Sequence, residues 1–330
     1  MIEHGDRQRL NRRTKKRIGG GGRVILTVTL NAALDITYRT ASLVPRSSHR
    51  VSEVSERPGG KGVNVARVLS GLGHETVATG FLGGRTGDDV RQLLARLSPR
   101  TVDAFVGIAG TTRRTLAVAD EKSGDTTQFN EPGPVVSAAE WGTFTATYER
   151  LLDGAQAVAL CGSLPPGLHV GAYAELVRLA RTAGVSVLLD TSGEPLRRGV
   201  AARPDIVKPN ADELAALTGS REPARAGRDA RRRGARSVIA SLGPDGILAT
   251  TPDGSWRARP PAAARGNPTG AGDSAVAGLL SALAEGMAWP DRLRRAVALS
   301  MATVLAPAAG EFDAAAYEEV LPRVTVETVA

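Results

Sequence analysis

A chain of 330 residues can bury one large α/β core or two smaller ones, and 42% hydrophobic with 23% charged residues is the balance of a globular fold. No apolar run reaches the length of a membrane span, no signal-peptide pattern opens the chain, and the single cysteine, Cys161, excludes an intrachain disulfide; together these point to the cytoplasm. The formal charge of +8 suggests a nucleic-acid partner, but residues 1–23 hold eight Lys/Arg against two Asp/Glu, contributing +6 and leaving about +2 for the rest.

That first segment ends in Gly19-Gly20-Gly21-Gly22 and has no apolar periodicity, so residues 1–23 read as a disordered basic tail. It is more simply a solvated appendage, or the product of an upstream start codon, than a nucleic-acid arm. The folded body is expected over 24–325. Its first strand is the β-branched run 24–30, followed by Asn31-Ala32-Ala33-Leu34-Asp35. Asp35 is thereby expected at the C-terminal end of a buried strand, where open α/β sheets bind ligands, although a turn or capping role fits its position as well.

Residues 36–57 alternate polar and apolar in short β-like pieces. Then Gly59-Gly60-Lys61-Gly62-Val63-Asn64 opens a helix with Val63, Ala66 and Leu69 on its inward face; the spacing of a Walker A loop is absent. Only five lysines accompany 37 arginines, and two of them, Lys61 and Lys208, fall in Gly/Pro/Asn-rich turns. In so arginine-biased a chain this hints at a compact ammonium for a phosphate or sugar oxygen. A strand over 76–82 and a helix over 88–97 follow. The stretches 102–108, 114–119 and 126–129 then read as a meander of short strands. Two such patches, 36–57 and 104–130, interrupt a β/α alternation, and a small sheet covering one face of the main domain accounts for both.

From residue 137 the alternation is regular. Helix 137–152 leads to strand 157–161, and helix 171–183 to strand 185–190. Strand 205–207 runs into Lys208-Pro209-Asn210-Ala211-Asp212-Glu213, with Asn210 as the N-cap. Strand 238–241 runs into Leu242-Gly243-Pro244-Asp245-Gly246 and a hairpin. The pattern predicts a mainly parallel sheet with helices on both faces and its tight turns on one edge.

The stretch Gly266-Asn267-Pro268-Thr269-Gly270-Ala271-Gly272-Asp273-Ser274 precedes a buried apolar helix. The amides of Gly270, Ala271 and Gly272 collect at its N-terminus, where the missing side chains and the helix dipole favour an anion. Asp273 lies in the same turn. Amides that hold the charge of a transferred group, beside a carboxylate that accepts a proton, suit phosphoryl transfer. Alone, the stretch fits an ordinary loop entering a core helix equally well.

In order along the chain, Thr29 to Asp35, Gly59 to Arg67, Asn130-Glu131-Pro132-Gly133-Pro134, Gly162 to Gly167, Lys208-Pro209-Asn210, Ser241-Leu242-Gly243 and Gly270 to Ser274 resemble the motifs of the PfkB (ribokinase-like) carbohydrate kinases. The likeness is nearest to the branch of 1-phosphofructokinase and tagatose-6-phosphate kinase. It implies a ribokinase-like three-layer α/β sandwich with a β-sheet lid, and an ATP- and Mg²⁺-dependent kinase pairing as a homodimer through the lid. The implied substrate is a phosphorylated ketohexose, with fructose 1-phosphate ahead of tagatose 6-phosphate and fructose 6-phosphate.

By the same resemblance Asp273 is the base and Gly270, Ala271 and Gly272 form the anion hole. Lys208, Asn210, Glu213, Ser241, Gly243 and Gly246 serve the nucleotide, with Asn210 and Glu213 organising Mg²⁺ through water or phosphate. Asp35, Gly59, Gly60, Lys61 and Asn64 serve the sugar, and Arg113 its phosphate. The chain departs from the pattern at Asn31-Ala32, usually Asn-Pro, at Asn267-Pro268-Thr269, and at 305–311. A catalytically silent sugar-phosphate-binding regulator is the alternative of another class, against which an intact Asp273 argues, since binding needs no base. Of the remaining residues, Cys161 reads as a buried apolar group, and His4, His49, His74 and His169 show no metal or triad spacing. Arg50 and Arg67 are phosphate contacts or, more simply, solvated or packing residues; Glu131 belongs to the Mg²⁺ network or to a turn.

Overall fold

The computed structural model describes residues 24–262, 266–306 and 308–329; the expected tail lies outside them. In chain order the elements begin with β1 (Val24–Thr29), β2 (Ala33–Thr40), β3 (Glu53–Gly59), α1 (Lys61–Gly71), β4 (Thr76–Leu82), α2 (Gly84–Leu97), β5 (Thr101–Asp103), β6 (Val106–Gly107), β7 (Arg113–Asp120) and β8 (Thr126–Asn130). Next come α3 (Ala138–Leu152), β9 (Ala155–Cys161), α4 (Ala172–Thr182), β10 (Ser186–Asp190), α5 (Gly193–Ala201), β11 (Ile206–Val207), α6 (Ala211–Thr218), α7 (Pro223–Arg232) and β12 (Ser237–Ser241). The last are β13 (Ile247–Thr251), β14 (Gly254–Arg259), α8 (Ala271–Ala284), α9 (Trp289–Val304), α10 (Ala314–Val320) and β15 (Thr325–Val329).

The central strands are apolar at nearly every position because both of their faces are covered. On β1, Leu26 and Val28 enter one core with Phe144 and Tyr148 of α3 and Tyr173 of α4, while Ile25 enters the opposite core with residues of α1, α8 and α9. β9 repeats this split, with Val158 and Leu160 on one side and Ala157 and Ala159 on the other. Among the described residues the resulting sheet has eleven strands and runs β15-β14-β13-β12-β11-β10-β9-β1-β4-β5, with β6 beside β4. It is parallel from β12 to β5 and antiparallel from β12 to β15.

A separate sheet of four strands, β3-β2-β7-β8, covers α1 and α2 through Leu34, Val63, Val90 and Leu94. Three expectations need correction. The stretch 102–108 was expected in this small sheet, yet β5 and β6 both pair with β4 in the large one. Asp35 was expected at the end of the first strand, yet the chain turns at Asn31 and Asp35 lies within β2, opposite Arg57. The folded body does not stop at 325, because β15 pairs with β14 through Val329. Among the described residues no helix is long and apolar enough to cross a membrane.

Candidate active site

Parallel strands deliver their following loops to one edge, and there α8 begins. Its N-cap, Gly270, has φ 86°, and a Cβ on it would stand 2.9 Å from the Cβ of Ala309, so both backbone and space require glycine. The helix starts at Ala271, ahead of the apolar run, which puts Asp273 in its first turn. Of the three expected anion-hole amides, that of Ala271 donates to Pro268 O at 3.1 Å; among the described residues those of Gly270 and Gly272 have no partner. Two side chains of α9 hold this turn: Ser300 Oγ donates to Ala271 O at 2.8 Å, and Thr303 Oγ1 lies 2.6 Å from Ser274 Oγ.

Asp273 is buried, at 6% exposure, and its Oδ2 accepts a hydrogen bond from Asn64 Nδ2 at 2.8 Å. Burial pushes its pKa up to about 6, with Lys61 opposing the shift and Asp190 adding to it. Lys61 and Asn64 are one helical turn apart at the start of α1, which is why one helix presents both to Asp273. Lys61 is not paired with Asp273. Its Nζ donates to Asp190 Oδ1 at 3.0 Å, and Lys208 Nζ lies 3.2 Å from the other oxygen of the same carboxylate. Burial disfavours the charge of Lys61, but Asp190 and Asp273 outweigh it and hold its pKa above the ordinary value. Sequence reasoning gave Asp190 no role; its place at the end of a parallel strand was the available signal.

A second cluster lies under the small sheet. A Cβ on Gly59 would stand 2.1 Å from Asp35 Cγ, so glycine makes the room that the Asp35 carboxylate occupies. Burial raises the pKa of Asp35 to about 6 against the pull of Arg113 and a hydrogen bond from Thr115. Arg113 Nε donates to Asn31 O at 3.1 Å and Nη1 to Glu131 O at 3.2 Å. Asn31 itself ties three of the motifs together: its Nδ2 donates to Pro132 O at 3.1 Å and Ser163 Oγ at 3.2 Å. Gly60 is the N-cap of α1.

Arg67 is buried and already engaged, by Glu311 Oε1 at 2.7 Å and Ala309 O at 2.7 Å, while Arg57 of β3 reaches the same Glu311 oxygen at 2.9 Å. Arg50 is exposed. Glu131 pairs with Arg114 at 2.8 Å, which favours its turn role. Cys161 is buried and free; His74 joins Ser281 and Glu285 near the C-terminal end of α8.

On the other side of the α8 N-terminus lies a cavity of about 970 Å³. It brings together Asn210, Ser241, Gly243, Gly246, Ala271 and Gly272, with Val297 and Met301 of α9 as apolar wall; Lys208 and Glu213 do not line it. Asn210 and Glu213 form a reciprocal cap on α6, Asn210 Oδ1 accepting from Glu213 N at 2.8 Å and Glu213 Oε2 from Asn210 N at 2.9 Å. Among the described residues no three His, Cys, Asp or Glu side chains gather as a metal cage. Asn210 and Glu213 carry side-chain oxygens, the donor type that a hydrated Mg²⁺ accepts.

A model of the pfkB family carbohydrate kinases matches residues 28–315. A 1-phosphofructokinase of Rhodobacter capsulatus is 40% identical over 285 residues, covering 84% of this chain and 89% of that protein. A tagatose-6-phosphate kinase of Staphylococcus epidermidis is 32% identical over 311 residues, covering 92% and 99%. Phosphofructokinase-2 of Escherichia coli, solved with fructose-6-phosphate, superposes with TM-score 0.83 at 29% identity, covering 91% of this chain and 99% of that one. The fold is therefore the ribokinase-like sandwich. With a cavity and a polar cluster meeting at the first turn of α8, and relatives matched over most of its length, the chain belongs to the pfkB family of carbohydrate kinases.

Proposed function

We propose that this kinase transfers the γ-phosphoryl group of ATP to a phosphorylated ketohexose, with fructose 1-phosphate, giving fructose 1,6-bisphosphate, as the first candidate. The observation that carries the reading is Asp273: a buried carboxylate with a neutral partner, in the first turn of α8, whose Ala271 and Gly272 line the cavity. ATP lies in the cavity with its phosphates toward Gly272; Asn210 and Glu213 would hold Mg²⁺ through water, and the ion would supply charge neutralisation for those phosphates. Asp35 and Asn64 bind sugar hydroxyls, and the free Nη2 of Arg113 meets the substrate's phosphate. Asp273 takes the proton of the attacking hydroxyl while the amides of Gly270 and Gly272 stabilise the charge of the group in transfer.

The preference for fructose 1-phosphate over tagatose 6-phosphate and fructose 6-phosphate follows the 40% identical relative. Coupled assays with ATP-Mg²⁺ on these three and free fructose test it; turnover on none of them by the folded protein overturns the reading in favour of a silent regulator. Asp273→Ala should lower kcat about 10²- to 10⁴-fold with the fold intact; near-normal turnover would remove Asp273 from its role. We place the enzyme in the cytoplasm, in keeping with its one buried thiol. We also propose a homodimer joined through the small sheets, whose Val54 and Phe129 are 57% and 58% exposed; a monomer in sedimentation analysis would refute that.

A further inference from the structure

Two ammonium groups and two carboxylates meet at the floor of the site, and their pairing is lopsided. Lys61 and Lys208 could take one carboxylate each. Instead both lie on Asp190, at 3.0 and 3.2 Å, and among the described residues Asp273 has no ion pair. Asp190 is 1% exposed and ends β10, so its position is set by the sheet. Lys208, at the end of β11, is equally enclosed, at 4% exposure, whereas the Lys61 side chain is 42% exposed. Lys208 Nζ also stands 3.5 Å from where a Cβ of Gly272 would be, directly beneath the anion-holding turn.

We propose that Asp190 is a positioning residue that captures Lys61 and Lys208 and so keeps Asp273 free of a cationic partner. This rests on the reading of Asp273 as the base. A carboxylate paired with an ammonium in a buried site is a poor proton acceptor, because the pair stabilises its ionised form. Asp190 prevents such a pair and adds its own negative charge nearby; both effects act in the same direction as the burial that raises the pKa of Asp273 to about 6. The groups facing Asp273 are Lys61 and Asn64 from α1, Asp190 from β10 and Lys208 from the end of β11. The Cys161 thiol at the end of β9 also faces it, kept neutral because burial raises its pKa.

Asp190→Asn in the full chain tests the idea through the pH dependence of kcat at saturating substrates. With both ammonium groups released toward Asp273, the acid limb of the profile should move down by about one pH unit or more. The plateau should fall about tenfold, since a weaker base accepts the proton less well. A purely structural role would lower kcat without moving the limb, and that result overturns the proposal. So does a loss of rate reversed by raising Mg²⁺, which would assign Asp190 to the metal's surroundings.

If the single variant does not fold, Asp190→Asn with Lys208→Met removes one charge of each sign and leaves Lys61 alone with Asp273; the same downward limb is expected. A parent enzyme without turnover on any phosphosugar refutes the base reading itself. An active parent whose acid limb is unchanged in both variants refutes only the role of Asp190.

Discussion

Replacing Asp273 by asparagine should stabilise the protein at pH 8 while disabling it. The carboxylate is 6% exposed, and burial lifts its pKa from 3.8 in the unfolded chain to about 6. A raised folded-state pKa means that the folded protein binds this proton more tightly than the unfolded chain does. Stability from this group is therefore fully present below pH 3.8 and is lost as pH rises through about 6. At pH 8 the loss is complete: a shift of about two units at 1.36 kcal/mol each gives a cost of about 3 kcal/mol. At pH 5 the folded carboxyl is mostly protonated and the cost is about half as large by the same linkage.

Asparagine keeps an oxygen to accept from Asn64 Nδ2 and carries no charge, so it should recover these amounts. Urea unfolding of parent and variant at both pH values reads the difference. A variant that is no more stable than the parent at pH 8, or that gains equally at both pH values, would refute the reasoning.

Two further substitutions probe the sugar side. Gly59→Ala should push the Asp35 carboxylate from its place, because the new Cβ would stand 2.1 Å from Asp35 Cγ; the KM for the phosphosugar should rise about tenfold or more with that for ATP unchanged. Equal changes in both KM values would show that the step in sheet geometry, not Asp35, was disturbed. Glu311→Gln removes the charge that pairs with the buried guanidinium of Arg67 and with the half-buried Arg57. The expected loss is about 3 kcal/mol by urea unfolding, the scale for removing one partner of a buried pair; a change within about 0.5 kcal/mol would mean that Ala309 O alone satisfies Arg67.

The strands β1, β9, β10 and β12 were legible in the sequence because burial on both faces makes each a short run rich in apolar and β-branched residues. The Asn210 cap and the tight turn at Gly270 were legible too, since each follows from a few adjacent residues. What depended on partners far along the chain was not. The short strands β5 and β6 have the composition of the small sheet's strands, and only pairing with β4 assigns them to the large one. Asp35 joined β2 because the chain turned at Asn31, whose side chain is held by residues 101 and 132 positions away. Nothing local marks Asp190 as the residue that collects Lys61 and Lys208, from segments 129 residues before it and 18 after. Periodicity and turn chemistry are properties of neighbouring residues and are written in order along the chain. Which carboxylate takes which lysine is decided by distances that exist only once the sheet has brought the strand ends together.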